Sequence, residues 1–404
     1  MGCENGCLNC STCNSTIRLE SFKKERDKYA AISAFNYNYD KCSRPTTVLL
    51  GLTNRCNLKC TYCFVHQNNT DMTYETAEKA VEWAINNAKI KKEDKDITIN
   101  FFGGEPLLKF EEIIKPLVLK YKNIVQFNIT TNGTLLDENK VDFLYNNNIG
   151  VLLSFDGVAE VQNKQRDNSF FSVLNNIPYL LLRMPETVMR ATVTKDSIPF
   201  LFKTVKMAEE LGFKKIVFCP NAYENWDKED ERELYNQFKD IGCYVYNKLM
   251  NDQNVIQIDP LNNLYKNINL ALNNNLYFNN NIMRCGLGTT TCAITPNEEI
   301  IPCQEKISNP SIILGKLDTG IDSKIHKEYL IDYFNKVNNL ECDKGCSLKE
   351  QLNCLADICP SRMEDLNYNF SSSSCAFTRI TTKVANRLHY LCANNLREKV
   401  RKYF

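Results

Sequence analysis

The stretch Val48-Leu49-Leu50-Gly51-Leu52-Thr53-Asn54-Arg55-Cys56-Asn57-Leu58-Lys59-Cys60-Thr61-Tyr62-Cys63-Phe64 sets three cysteines directly behind an apolar run. The run 48–52 reads as a buried strand. Cys56, Cys60 and Cys63 follow where that strand ends, with three and then two residues between them. Clusters of four irons normally take four cysteines. Three thiolates leave one metal position open, and an open position points to chemistry rather than scaffolding.

Working outward, short β-rich runs alternate with helical patterns from Pro45 to about Asn221. A helix starts near Thr73, with Ala77, Ala80, Val81, Ala84 and Ile85 on one face. Strands are expected over 97–102, 125–130, 151–155, 188–193 and 215–219. Helices are expected over 110–121, 137–145, 171–182 and 199–211. Six β/α repeats argue for a parallel sheet with right-handed crossovers. Active sites in such folds lie at the C-terminal ends of the strands. The cysteine triplet follows strand one, and Gly103-Gly104-Glu105-Pro106 follows strand two, so both belong to the same rim.

Composition narrows the classes. The chain has 404 residues, 43% hydrophobic, with a net charge of +1 from 49 Lys+Arg and 48 Asp+Glu. No bulk electrostatic argument favours nucleic acid or an anionic membrane. No apolar run approaches the length of a membrane span, and no secretory signal is visible. Met1-Gly2-Cys3 hints at lipidation, but Gly6 stands where the myristoylation pattern wants Ser or Thr. Nineteen cysteines in a long chain with a good apolar fraction read as metal ligands in a reducing cytoplasm, not as a disulfide scaffold. With three histidines in total, sulfur must do most of the binding.

The composition shifts after Asn221. Two long helical patterns, 227–250 and 260–273, lead to a second cysteine-rich region holding Cys285, Cys292, Cys303, Cys342, Cys346, Cys354, Cys359 and Cys375. Eight thiolates make two four-cysteine sites, and by thiolate number alone iron–sulfur clusters or zinc would serve. From Thr378, residues Ile380, Val384, Leu388, Leu391, Leu396 and Val400 fall at helical spacing on one face, with Cys392 as plain core. Cys3, Cys7, Cys10 and Cys13 could hold a further cluster or zinc, mimic a cysteine-rich substrate, pick up metal, or form a reduced tail. His66 reads as structural, Cys42, Cys219 and Cys243 as core or incidental, and Asp259 as a helix cap before Pro260 or, less favoured, a base in the cavity.

The cysteine triplet, Tyr62 beside its last member, and Gly103-Gly104-Glu105-Pro106 after the next strand together resemble the radical S-adenosylmethionine (radical SAM) superfamily over residues 45–221. The resemblance implies a partial (β/α)6 TIM-like barrel, an α/β fold, followed by a small cysteine-rich Fe–S domain and a C-terminal helix. It implies one [4Fe-4S] cluster on Cys56, Cys60 and Cys63, whose open iron is chelated by S-adenosyl-L-methionine. In the family, one electron from the reduced cluster breaks a carbon–sulfur bond and yields a 5′-deoxyadenosyl radical. Tyr62, Gly103, Gly104, Glu105, Pro106, Asn132, Ser154, Asp156 and Arg190 are the positions the resemblance assigns to the cofactor. Glu105 and the glycine backbone are placed against the methionine amino group, Ser154 and Asp156 against the ribose or carboxylate, and Arg190 against the carboxylate.

The second region resembles the SPASM extension, which carries two auxiliary [4Fe-4S] clusters. Carried over by order, Cys285, Cys292, Cys303 and Cys359 hold the inner cluster, and Cys342, Cys346, Cys354 and Cys375 the outer one. Two departures stand out. Glu298 occupies the usual glycine position, and the spacing from Cys342 to Cys359 is looser than the family's. The expected organisation is a cysteine-rich segment (1–44), the barrel (45–221), a helical bridge (222–284), the auxiliary-cluster region (285–376) and a terminal helix (377–404). About 45 residues precede strand one, roughly half the length of the winged peptide-recognition domain many relatives carry there, so such a domain is not expected. The resemblance implies a thioether-forming maturase of a short cysteine-rich precursor peptide, served by a ferredoxin- or flavodoxin-type electron donor. The alternatives are an anaerobic sulfatase maturase and a non-catalytic Fe–S or zinc protein.

Overall fold

The computed structural model describes residues 45–88, 97–262, 286, 288–338 and 372–395. The N-terminal cysteines, Cys42, Cys285, Cys342, Cys346, Cys354 and Cys359 lie outside the described residues.

Six strands carry the predicted pattern: β1 (Thr47–Thr53), β2 (Thr98–Gly103), β3 (Gln126–Thr131), β4 (Gly150–Ser154), β5 (Val188–Val193) and β6 (Lys215–Pro220). They pair in chain order and all in parallel. Side chains alternate across the sheet. In β2, Ile99 and Phe101 are fully buried in the main core, while Asn100 and Phe102 face the other way and are partly covered. Helices cover the apolar side. In α1 (Tyr74–Ala88), Ala77, Ala80, Val81 and Ala84 are all buried, as their spacing requires.

The sheet runs on beyond β6 and β1. β7 (Gln257–Asp259) pairs in parallel with β6 and ends on Asp259. β8 (Thr291–Ile294) pairs in parallel with β1 from the opposite side. β9 (Glu299–Ile301), β10 (Gly315–Lys316) and β11 (Gly320–Ile321) continue antiparallel, giving an 11-stranded sheet among the described residues. The segment from Thr291 to Ile321 is thereby stitched to the first six strands by main-chain pairing.

Three helical expectations change for identifiable reasons. The pattern over 110–121 opens as a π turn, Phe110–Ile114, before α2 (Lys115–Tyr121). Pro116 has no N–H to give the Glu112 carbonyl, so the turn widens. The pattern over 171–182 is cut after Leu174, because Pro178 cannot bond that carbonyl. Between β4 and that pair lies a helix absent from the apolar pattern. With α3 (Glu138–Asn146) preceding it, this is α4 (Ala159–Gln165), and its buried face includes Gln162 and Gln165 as well as Val161. The cut pair are α5 (Phe170–Leu174) and α6 (Ile177–Arg183).

After α7 (Leu201–Glu210), the long helix α8 (Lys228–Met250) starts at a capping box built by Asp227 and Asp230. The 16-residue α9 (Ser323–Asn338) follows β11. The terminal helix α10 (Ser372–Asn395) begins earlier than its apolar stripe and packs on α8. Phe377 meets Phe238 edge-on at 5.6 Å, and Ile380, Val384, Leu388 and Cys392 are buried. At Gly242 an added Cβ would lie 3.0 Å from Val384, so a small residue there lets the two helices close.

Candidate active site

The cysteine loop leaves β1 at the C-terminal rim. It is tied down by backbone before any side chain acts. Asn54 N donates to Thr70 O (2.9 Å), Gly104 N to Thr53 O (2.7 Å) and Glu105 N to Arg55 O (2.9 Å). Gly103 has φ +134°, and an added Cβ would lie 2.3 Å from Thr53 O; at Gly104 it would lie 2.1 Å from Arg55 O. Beside the glycine pair lies the cysteine loop's own backbone, a close approach that only glycine permits.

Arg55, immediately before the first cysteine, is held by Asp71. That carboxylate accepts from Arg55 Nε (3.0 Å), Thr53 Oγ1 (2.5 Å) and the buried Lys109 Nζ (2.8 Å). Burial would push Asp71 up, but the bonds from Lys109, Thr53 and Arg55 hold it down at about 2. Neither Asp71 nor Lys109 carried a motif in the sequence.

Glu105 is fully buried and already engaged. Its carboxylate accepts from Leu107 N (3.0 Å), Thr131 Oγ1 (2.8 Å) and Asn132 N (2.8 Å). It therefore caps the turn starting at Pro106, itself buried, and bolts the end of β2 to the end of β3. Burial raises its pKa to about 7 despite three donors. Asp156 is likewise saturated. It accepts from Tyr62 OH (2.5 Å), Gln165 Nε2 (2.9 Å), Thr192 N (2.8 Å), and Arg166 through Nε (2.9 Å) and Nη2 (3.2 Å). Both carboxylates were expected to face the cofactor; in this structure each also accepts from the protein's own donors, three at Glu105 and five at Asp156.

Among the described residues no three ligating side chains are gathered closely enough to hold a single metal ion, so the case for a cluster at the cysteine loop rests on the surroundings of its thiols. Cys56 and Cys60 are half-buried and Cys63 is exposed. Burial pushes the Cys60 thiol to about 11 and raises Cys56, with neighbouring thiols adding to both. Without a cation these groups resist ionising. Yet N–H donors already aim at the sulfurs: Leu58 N (3.4 Å) and Asn132 Nδ2 (3.8 Å) at Cys56 Sγ, Arg166 Nη1 (3.9 Å) at Cys60 Sγ. Donors around thiols that need positive charge are what an iron–thiolate site requires.

Across the rim, register places Ser154, Arg190, Val217 and Asp259 in one row of β4, β5, β6 and β7, with Thr192 beside Cys219 one step further along. Ser154 is buried, and Asp259 is half-buried at its strand end. The Thr192 hydroxyl and the Asn54 side-chain oxygen Oδ1 are buried without hydrogen-bond partners among the described residues. Arg190 lies near Cys219, Tyr62, Arg166 and Asp156. Polar atoms left over at the rim suit a polar small molecule. His66 is exposed, and its amide donates to Ser308 Oγ (2.8 Å), joining the cysteine loop to the segment after β9.

Sequence order gave Cys292 to the inner cluster. It is fully buried on β8, in the main core with Val48, Ile294 and Ile300. Its neighbour Ala293 faces the opposite side, in a cluster with Val65, Ile301 and Ile307 that is lined by Phe64. Strand alternation turns Cys292 away from the cysteine-loop side of the sheet, and burial drives its thiol pKa sharply up. Cys303 sits just beyond β9, buried, with its sulfur accepting from Glu305 N (3.4 Å). Cys375 falls in α10 and is half-buried. Glu298, at the expected glycine, adopts φ +64° and still closes the β8–β9 hairpin. Its carboxylate is held by Lys79 Nζ at 2.6 Å.

A parallel α/β sheet with three cysteines behind its first strand defines a class, and comparison agrees with it. The radical SAM superfamily pattern matches residues 50–230, and the chain belongs to that superfamily. Over 277 residues it is 30% identical to the cysteine-type anaerobic sulfatase-maturating enzyme of Clostridium perfringens (strain 13 / Type A), covering 61% of this chain and 71% of that enzyme. Over 181 residues it is 33% identical to the uncharacterized protein MJ0907 of Methanocaldococcus jannaschii, covering 42% of this chain and 61% of that one. Among solved structures, anSMEcpe with bound AdoMet superposes with TM-score 0.68 at 22% identity, covering 88% of this chain and 97% of that one. Streptococcus suis SuiB bound to precursor peptide SuiA gives 0.58 at 16% identity, covering 92% and 83%. Both structures share the fold. No helix among the described residues is long and apolar enough to cross a membrane.

Proposed function

We propose that this protein is a radical SAM oxidoreductase that modifies a peptide or protein, and that its substrate is a short cysteine-rich peptide receiving sulfur-to-carbon thioether crosslinks. The observation that carries the chemistry is the loop of Cys56, Cys60 and Cys63, pinned by backbone and met by N–H donors at two of its sulfurs. The peptide reading is supported by the likeness in fold to SuiB bound to its precursor peptide. When bound, the cluster and S-adenosylmethionine supply a 5′-deoxyadenosyl radical, which removes a hydrogen atom from substrate.

The chain's own residues do the rest. Glu105 and Asp156 set the rim. Arg190 and Thr192 offer a cation and a hydroxyl to orient a carboxylate and a polar group. With Cys292 in the core, the inner auxiliary set contracts to Cys285, Cys303 and Cys359, and the outer set remains Cys342, Cys346, Cys354 and Cys375. A thioether replaces one S–H and one C–H by a C–S bond, so each crosslink removes two hydrogens, whose second electron these clusters would carry away. A ferredoxin- or flavodoxin-type donor would supply the first electron.

A second reading, cysteine oxidation of the sulfatase-maturase kind, is favoured by identity to the C. perfringens enzyme across most of its length. Anaerobically reconstituted protein is incubated with reductant, S-adenosylmethionine and candidate peptides. Formation of 5′-deoxyadenosine supports the class, and its absence, with the cluster intact, sinks it. A peptide lighter by two hydrogens with fewer alkylatable thiols supports the thioether. Conversion of one cysteine to an aldehyde supports the second reading.

A further inference from the structure

Arg166 is absent from every motif in the sequence, yet it stands between the cysteine loop and the rim. It ends α4, and both its side chain and its counter-charge are buried, with Arg166 5% and Asp156 2% exposed. Two of its nitrogens grip the Asp156 carboxylate, at 2.9 and 3.2 Å. The third, Nη1, reaches Cys60 Sγ at 3.9 Å. The guanidinium lies over the Tyr62 ring, 5.3 Å from its centroid, and Tyr62 OH returns to the same Asp156. Thr61 N is bonded to Gln165 O at 3.0 Å, so the loop's backbone is fastened to the helix end carrying Arg166.

Burying an ion pair is costly, and a packed apolar pair would serve stability as well. What an apolar pair could not do is hold a positive charge against a cysteine sulfur. We propose that Arg166 is a positioning residue that sets the reduction potential of the cluster on Cys56, Cys60 and Cys63, with Asp156 as the counter-charge that moderates it. This rests on the cluster assignment above. One electron entering from an external reductant adds negative charge beside Cys60. The guanidinium stabilises the reduced form, and the carboxylate behind it partly offsets that. A unit charge at this range and in this surrounding shifts a one-electron equilibrium on the order of tenfold or more. Tenfold corresponds to about 59 mV.

The test is a potentiometric titration of the reconstituted holoenzyme, read by the cluster's EPR signal, without S-adenosylmethionine. Arg166→Gln lowers the reduced fraction at a fixed potential by about tenfold. Asp156→Asn raises it. The double variant returns toward wild type, and Arg166→Lys stays close to it. The opposite signs separate electrostatic tuning from loosened packing, which would not move the two singles apart. Singles that shift the same way, or not at all, overturn the proposal. If Arg166→Gln fails to assemble a cluster, Asp156→Asn decides: an unmoved or lower potential refutes it. Wild-type protein lacking any cluster signal after reconstitution would instead refute the underlying assignment.

Discussion

Glu105 offers a measurable consequence of burying a carboxylate at the rim. Its pKa rises from 4.5 to about 7 on folding, because burial outweighs the bonds from Asn132 N, Leu107 N and Thr131 Oγ1. The folded chain therefore holds a proton that the unfolded chain has released between those two values. Stability then falls as pH rises through that window, since the native state binds more protons. At about 1.4 kcal/mol per pH unit the loss is on the order of 3 kcal/mol, complete above about pH 7. Glu105→Gln removes the titration. Its amide oxygen can keep the Leu107 and Thr131 bonds, but the NH2 group then faces the Asn132 N–H. A buried donor is left unmet, at a cost of about 1–3 kcal/mol independent of pH. Urea unfolding of wild type and variant at pH 5 and pH 8 gives the comparison. The variant is the less stable at pH 5, and the gap closes or reverses at pH 8. A difference that stays constant across the two pH values would refute a raised Glu105 pKa.

Asp71→Asn leaves Arg55 without its carboxylate and the buried Lys109 with Glu112 alone, at 2.7 Å, and costs about 1–2 kcal/mol at neutral pH. Because Asp71 is depressed to about 2, its contribution in wild type is present above about pH 4 and fades as pH falls toward 2; the wild-type and variant acid-unfolding curves should converge there. Cys292→Ala leaves iron per chain unchanged while lowering the urea midpoint, whereas Cys303→Ala loses iron; loss of iron in the first variant would restore Cys292 as a ligand. Glu298→Gly and Glu298→Ala both lose the Lys79 contact, but only glycine also relieves about 1 kcal/mol of left-handed backbone strain, so the glycine variant melts above the alanine one.

How far the chain could be read depended on periodicity and local chemistry. Six parallel strands, the paired glycines behind β2 and the cysteine loop were legible because each lies within one short window. α4 was not legible, since its buried face is partly amide, and the apolar rhythm that betrays a helix is broken there. With it went Arg166, Gln165 and the hub at Asp156. β7 is too short to register, and Asp71 matters through partners 16 and 38 positions away, at Arg55 and Lys109. Cysteine order gave Cys292 a ligand role, and what order could not tell is that strand alternation buries its side chain in the core. Residue type and spacing alone determined that three sulfurs would sit behind the first strand, because adjacent residues cannot separate. Only the tertiary structure decided which carboxylates are spent on the scaffold and which sulfur meets a guanidinium, because those contacts join elements that sequence distance hides.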